Sequence, residues 1–153
     1  MTDTVRAPIH LSAPAARRLS ILVLGCLFGG YMLAAVLPQA PRALEAGFSL
    51  LKITGLLGAF ALFLDGHGQT ANAPDTMLDE RQRVERDRAY VRSHQIIVGA
   101  LFAAFVYTVP AVPLGWWLPA QGAAIDLLSA FGIAALALPG IILAWRTPVE
   151  EAE

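Results

Sequence analysis

Two charged side chains stand inside stretches that are otherwise nearly pure hydrocarbon: Lys52 in "SLLKITGLLGAF" and Asp126 in "AAIDLLSAF". A charge in such a setting is costly, usually finds a partner, and by default marks ion, proton or substrate handling. At helical spacing Lys52 shares a face with Ser49, Gly55 and Ala59, and Asp126 with Ser129, Ala130 and Ala137. Both charges therefore run along small-residue faces that favour a neighbouring helix over lipid. The expectation is a Lys52–Asp126 ion pair. The competing reading is plain: Lys52 snorkels along its own apolar stem, and Asp126 caps a helix near the interface.

Other residues with chemical potential are scattered. His10, His67 and His94 are far apart; His67 with Asp65, and His94 with the acids before it, could assemble a site only if the loop folds back, and no H-x-x-x-H or C-x-x-C spacing is present. No histidine pair lies within an apolar run to hold a haem, so no metal and no cofactor is expected. One thiol cannot close an intrachain disulfide. The first apolar run carries no carboxylate, which sets the chain apart from small multidrug exporters of similar helix count. Nothing here specifies an enzyme.

The elements that must position these residues are written in the composition. Of 153 residues, 56% are hydrophobic and only 15% charged, against about 25% charged in an ordinary soluble domain. Four apolar runs, 19–37, 46–64, 95–113 and 123–145, are each long enough to cross a hydrocarbon layer of roughly 30 Å as a helix. The expected fold is all-α: a polytopic membrane protein with an N-terminal arm (1–18), a first hairpin (19–64), a charged link (65–94), a second hairpin (95–145) and an acidic tail (146–153). A cleaved signal is a poor reading of the first run. The apolar stretch before Cys26 is too short for a lipoprotein signal, and a cut after Ala40 would place Pro41 directly behind the scissile bond and Pro38 two residues before it.

Arginine placement sets the orientation. Arg6, Arg17, Arg18, Arg81, Arg83, Arg86, Arg88, Arg92 and Arg146 fall on one side of the four runs and Arg42 alone on the other. By the positive-inside rule both termini and the long link are cytoplasmic. Pro110 and Pro113 should end or distort the third helix, and Pro139 should kink the fourth. Small residues four apart mark packing faces: Gly25 and Gly29, Gly55 and Ala59, Gly99 and Ala103, Ala130 and Ala134. Most should serve the chain's own bundle, with Gly25 and Gly29 the best candidates for a homodimer seam.

The link begins with "DGHGQTANAP", 65–74, whose turn formers predict a flexible loop. From Asp75 or Thr76 a helix should start and run unbroken into the third span, about 48 Å to Tyr107. Met77, Val84, Val91 and Val98 recur every seven residues on it, flanked by Glu80 and Asp87 on one side and by Arg81 and Arg88 on the other. Local pairs Asp79–Arg83, Arg83–Asp87 and Arg81–Glu85 should cover the rest. Four acids against five arginines between Asp79 and Arg92 exclude a polybasic nucleic-acid or lipid patch. The stripe either lies on the bundle's own cytoplasmic end or headgroups, or docks a partner helix or a second copy.

The segment "LDERQRVERDRAY", 78–90, ahead of an apolar helix, resembles small uncharacterised four-helix bacterial inner-membrane proteins with a cytoplasmic D-E-R-x segment. The resemblance rests on Asp79, Glu80, Arg81, Arg86 and Asp87. It implies a membrane location and association with regulatory partners, and no chemistry. The leading functional expectation is a non-enzymatic regulatory or assembly protein acting through the charged helix, in contact with lipid and with a protein partner. A small transporter or channel subunit using Lys52 and Asp126 is the alternative, and a membrane enzyme or electron-transfer subunit the third.

Overall fold

The computed structural model describes residues 8–147. Arg6 and the acidic tail after Thr147 lie outside the described residues. Five helices follow in order: α1 Ala13–Val36, α2 Arg42–Leu64, α3 Gly66–Asn72, α4 Glu80–Leu114 and α5 Gln121–Arg146, with one 3₁₀ turn at Asp75–Met77 between α3 and α4. Four of them (α1, α2, α4 and α5) are long and apolar enough to cross a membrane, the pattern of a multi-pass membrane protein.

The helices begin earlier than apolarity alone marks them, because a helix carries on into polar sequence as long as nothing breaks it. α1 opens with Pro14 near its first position, where the missing N–H costs nothing. α2 already starts at Arg42, which puts Lys52 ten residues, roughly 15 Å, from the helix start.

α1 and α2 form the tightest contact, and glycine makes it. A Cβ at Gly55 would stand 2.7 Å from the Leu27 backbone, and one at Gly30 would stand 3.0 Å from the Lys52 amide; one at Gly58 would collide with the Val23 side chain. These pairings run in opposite directions along the two helices, so the hairpin is antiparallel. α5 closes the core with small residues. Ala137, Ile141 and Ala144 pack on Ala16, Val23, Ala59 and Leu62, and Ala130 and Ala134 on Leu27. Phe28 and Phe131 meet edge to face at 5.0 Å.

Three expectations are corrected here. Residues 65–74 are no flexible loop. Asp65 caps α3 by accepting the His67 amide, and a Cβ at Gly140 would come within 2.8 Å of the Gly68 Cα, so α3 lies directly on α5. The turn formers were read without the Asx cap that organises them. The charged helix starts at Glu80, not at Asp75 or Thr76: Asp79 and Gln82 form a reciprocal capping box, whereas residues 75–77 make a separate turn. Finally, of the two outcomes expected of Pro110 and Pro113, an end to the third helix or a distorted last turn, the first does not occur. α4 continues through both to Leu114 and stops at Gly115, whose φ of +66° lets the Trp116 amide reach back to the Ala111 carbonyl at 2.9 Å. Pro139 likewise lies within α5, buried.

Candidate functional site

Three regions carry the polar side chains that a function would need. At the end where α2 and α5 begin, Lys52 Nζ lies 3.3 Å from Asp126 Oδ2 and 4.6 Å from the centroid of the Tyr31 ring. Side chains on a helix lean toward its N-terminus, so Lys52 leans along α2 toward Asp126. The Lys52 side chain is 25% exposed and that of Asp126 54%. A pair this open holds geometry more than energy, about 0–1 kcal/mol. The hydroxyls of Ser49 and Ser129 donate to the carbonyls of Glu45 and Ile125 on their own helices, so neither joins the pair. Between this pair and the opposite end the buried core clusters are alanine, valine, leucine and isoleucine.

At that opposite end, the start of α1, the α2–α3 junction and the end of α5 are bound together. Asp65 is buried, and its carboxylate accepts the Leu11 amide at 2.7 Å, the His67 amide at 3.3 Å and His67 Nδ1 at 2.7 Å. A carboxylate facing Nδ1 requires the proton on that nitrogen. The Gly66 amide in turn donates to the Ile9 carbonyl at 3.1 Å, so the segment around His10 is strapped down instead of trailing as a loose arm. Arg17 caps α5: its guanidinium donates to the carbonyls of Ala144, Trp145 and Thr147 and lies over the Trp145 ring. Trp145 Nε1 donates to Ser20 Oγ at 3.1 Å.

A cleft of about 350 Å³ opens beside this clasp, lined in part by His10, His67, Thr70, Gln82, Glu85 and Thr147. Its chemistry is quiet. The Thr70 and Thr147 hydroxyls donate to the Gly66 and Leu143 carbonyls, which leaves neither poised as a nucleophile for the His67–Asp65 dyad. Among the described residues no three His, Cys, Asp or Glu side chains stand together as metal ligands. Sequence reasoning missed Asp65 as the organising group. The signal was there in an aspartate directly after an apolar helix and two residues before a histidine, the spacing of an Asx cap.

The third region is the charged half of α4. Arg86 anchors it, reaching Asp75 at 2.7 Å, Asp87 at 2.9 Å and the Ala73 carbonyl at 3.0 Å. Donating to the Asp87 and Asp75 carboxylates raises the Arg86 pKa above its ordinary value, so the anchor stays charged at any neutral pH. Ala89 and Ser93 are the buried positions, Ala89 packing on Ala71 and Leu143, and Tyr90 donates to Asn72 Oδ1. Of the expected local pairs, Arg81–Glu85 forms at 3.0 Å. Asp79–Arg83 and Arg83–Asp87 do not, because Asp79 is engaged as the cap, Arg83 donates to the Leu78 carbonyl and Asp87 turns to Arg86.

The apolar stripe points away from the bundle. Met77, Val84, Val91 and Val98 are between 44% and 58% exposed, which overturns its placement on the bundle's own end. Glu80, Arg81, Asp87 and Arg88 are exposed beside it. Of the small-residue pairs, Gly55 and Ala59 are buried against α1. Gly25, Gly29 and Gly99 have open space where a Cβ would go, and Ala103 is exposed, so these do not pack within the chain. No protein family, curated protein or solved structure matches this chain.

Proposed function

We propose that this chain is a non-enzymatic inner-membrane protein that regulates or assembles a larger complex, with α4 as its docking element. The observation that supports this reading best is the exposure of α4. Only 6% of its apolar window is buried, although the helix is as apolar as its neighbours. Its charged half, anchored at one edge by Arg86 and Ala89, turns Val84 and Val91 outward. With Arg17, Arg18, Arg146 and the five arginines of α4 gathered at one end and Arg42 at the other, that end faces the cytoplasm, and both termini with it. The resemblance of residues 78–90 to small membrane proteins with a D-E-R-x segment points the same way.

A transport role is less well supported, since Lys52 and Asp126 meet in a half-open pair with apolar core behind them. The two readings separate on native-gel mass in mild detergent. Wild-type protein should migrate well above its 16.3 kDa chain mass. Reversing Arg81 and Arg88 to Glu should release it to a smaller species, and Lys52→Met with Asp126→Leu should leave the assembly intact. Loss of the assembly in the Lys52/Asp126 variant alone would contradict the proposal.

A further inference from the structure

The outward face of α4 is more organised than the four-residue stripe suggests. Val84, Val91, Val98, Phe102, Phe105 and Val109 form one line, spaced seven, seven, four, three and four residues apart, and each is between 44% and 65% exposed. The three-and-four alternation over its second half is the period of a helix–helix seam. Val91 follows the buried Ala89 by two residues, and Val109 precedes the buried Ala111 by two, so each stands roughly 200° around the helix from the bundle contact. The line spans about 38 Å.

Lipid covers its second half and cannot reach Val84. Val84 lies eleven residues before Gln95, where the apolar run begins, or roughly 16 Å beyond it for a helix near the membrane normal. The headgroup layer on one side is only about 6–7 Å deep. Val84 therefore faces water or protein, whereas Val91, four residues before Gln95 and about 6 Å out, lies at the depth of the headgroups.

The charges say which protein. Three and four residues before Val84 stand Arg81 and Glu80; three and four before Val91 stand Arg88 and Asp87. On a helix these fall on opposite flanks of the seam, acid on one side and arginine on the other. Two copies in one membrane run parallel, and a two-fold axis along the membrane normal lays the acidic flank of one copy on the basic flank of the other. Among the described residues Glu80 and Arg88 have no ion partner within the chain, whereas Arg81 and Asp87 have Glu85 and Arg86. We propose that the seam Val84–Val109 pairs with the same seam of a second copy, parallel and two-fold, with Asp87 of each copy against Arg88 of the other and Glu80 likewise against Arg81. This rests on the reading of α4 as the docking element and names its partner.

The test uses the full chain in native membranes with Cys26 replaced by alanine. Oxidative crosslinking of Val91→Cys and of Phe102→Cys should give a product of twice the chain mass, and Ile96→Cys, exposed but off the seam, should not. In the Val91→Cys background, Asp87→Arg alone and Arg88→Asp alone should each lower self-crosslinking about tenfold, because like charges meet across the axis. Co-expressed, the two variants should crosslink to each other at the starting yield, a restoration that lipid or an unrelated partner cannot produce. Failure of that restoration, equal crosslinking at Ile96→Cys, or no doubled product at Val91→Cys would overturn the pairing. A Val91 crosslink to a product of some other mass would also overturn it while leaving α4 as a docking element. The docking reading itself falls if reversing Arg81 and Arg88 leaves the native mass unchanged.

Discussion

α4 and α5 are almost equally apolar across their membrane windows, with mean hydropathies of 2.0 and 2.3, yet 6% of the first window is buried and 50% of the second. Hydropathy therefore does not sort these helices. Side-chain size does. α5 meets its neighbours through Ala130, Ala134, Ala137, Gly140 and Ala144, all buried, and lets backbones approach closely. α4 presents Val98, Phe102, Phe105, Val109 and Val112 outward. In lipid, where apolar surface gains nothing by leaving the solvent, close backbone approach holds a bundle together. The difference divides the molecule into a core of α1, α2 and α5, with α3 sealing one end, and an outrigger helix whose buried positions are Ala89 and Ser93 toward that end and Ala111 toward the other.

The sharpest break of this contrast is a matched pair of glycine substitutions. Gly140→Leu must push into the Gly68 backbone and should cost about 2–3 kcal/mol. Gly99→Leu on α4 meets open space and should stay within about 0.5 kcal/mol. Unfolding of the purified protein in detergent reads both, and equal losses would erase the distinction. Next comes the clasp. Asp65→Ala strands the Leu11 and His67 amides and should cost about 2 kcal/mol. Amide exchange at Leu11 should rise with it, and unchanged exchange would mean that the strap is held by something else.

Asp79→Ala removes the cap that starts α4 and should cost about 1 kcal/mol, seen as faster exchange confined to the helix's first turn. A loss spread over the whole bundle would show that α4 is no outrigger. Smallest is Lys52→Met, which leaves an exposed Asp126 and should change stability by less than about 1 kcal/mol. A larger loss would move that pair from the margin of the fold to its centre.

The four long helices were legible because each run is long and uninterrupted, and the Lys52–Asp126 proximity followed from two charges entering from the same side, each facing small residues. Helix starts were not, since Arg42 and Ala13 extend helices into polar sequence that hydropathy discards. Residues 65–74 misled because glycine, asparagine and proline mark turns on average. What decides here is a buried aspartate, and burial is a tertiary fact. The direction of the Val84–Val98 stripe was equally hidden. A heptad stripe shows that a face is apolar, and only the packing of Ala89 and the reach of Arg86 reveal that the bundle took the other face.

The division between core and outrigger is tested most directly by a photoreactive side chain placed, in intact membranes, at Val84, Val91 or Phe102 of α4 and at Ile53, Leu57 or Phe60 of α2, all comparably exposed. The account predicts protein adducts from the α4 positions and only lipid or water products from those on α2. Lipid or water products alone from α4, or protein adducts of equal yield from α2, would contradict it.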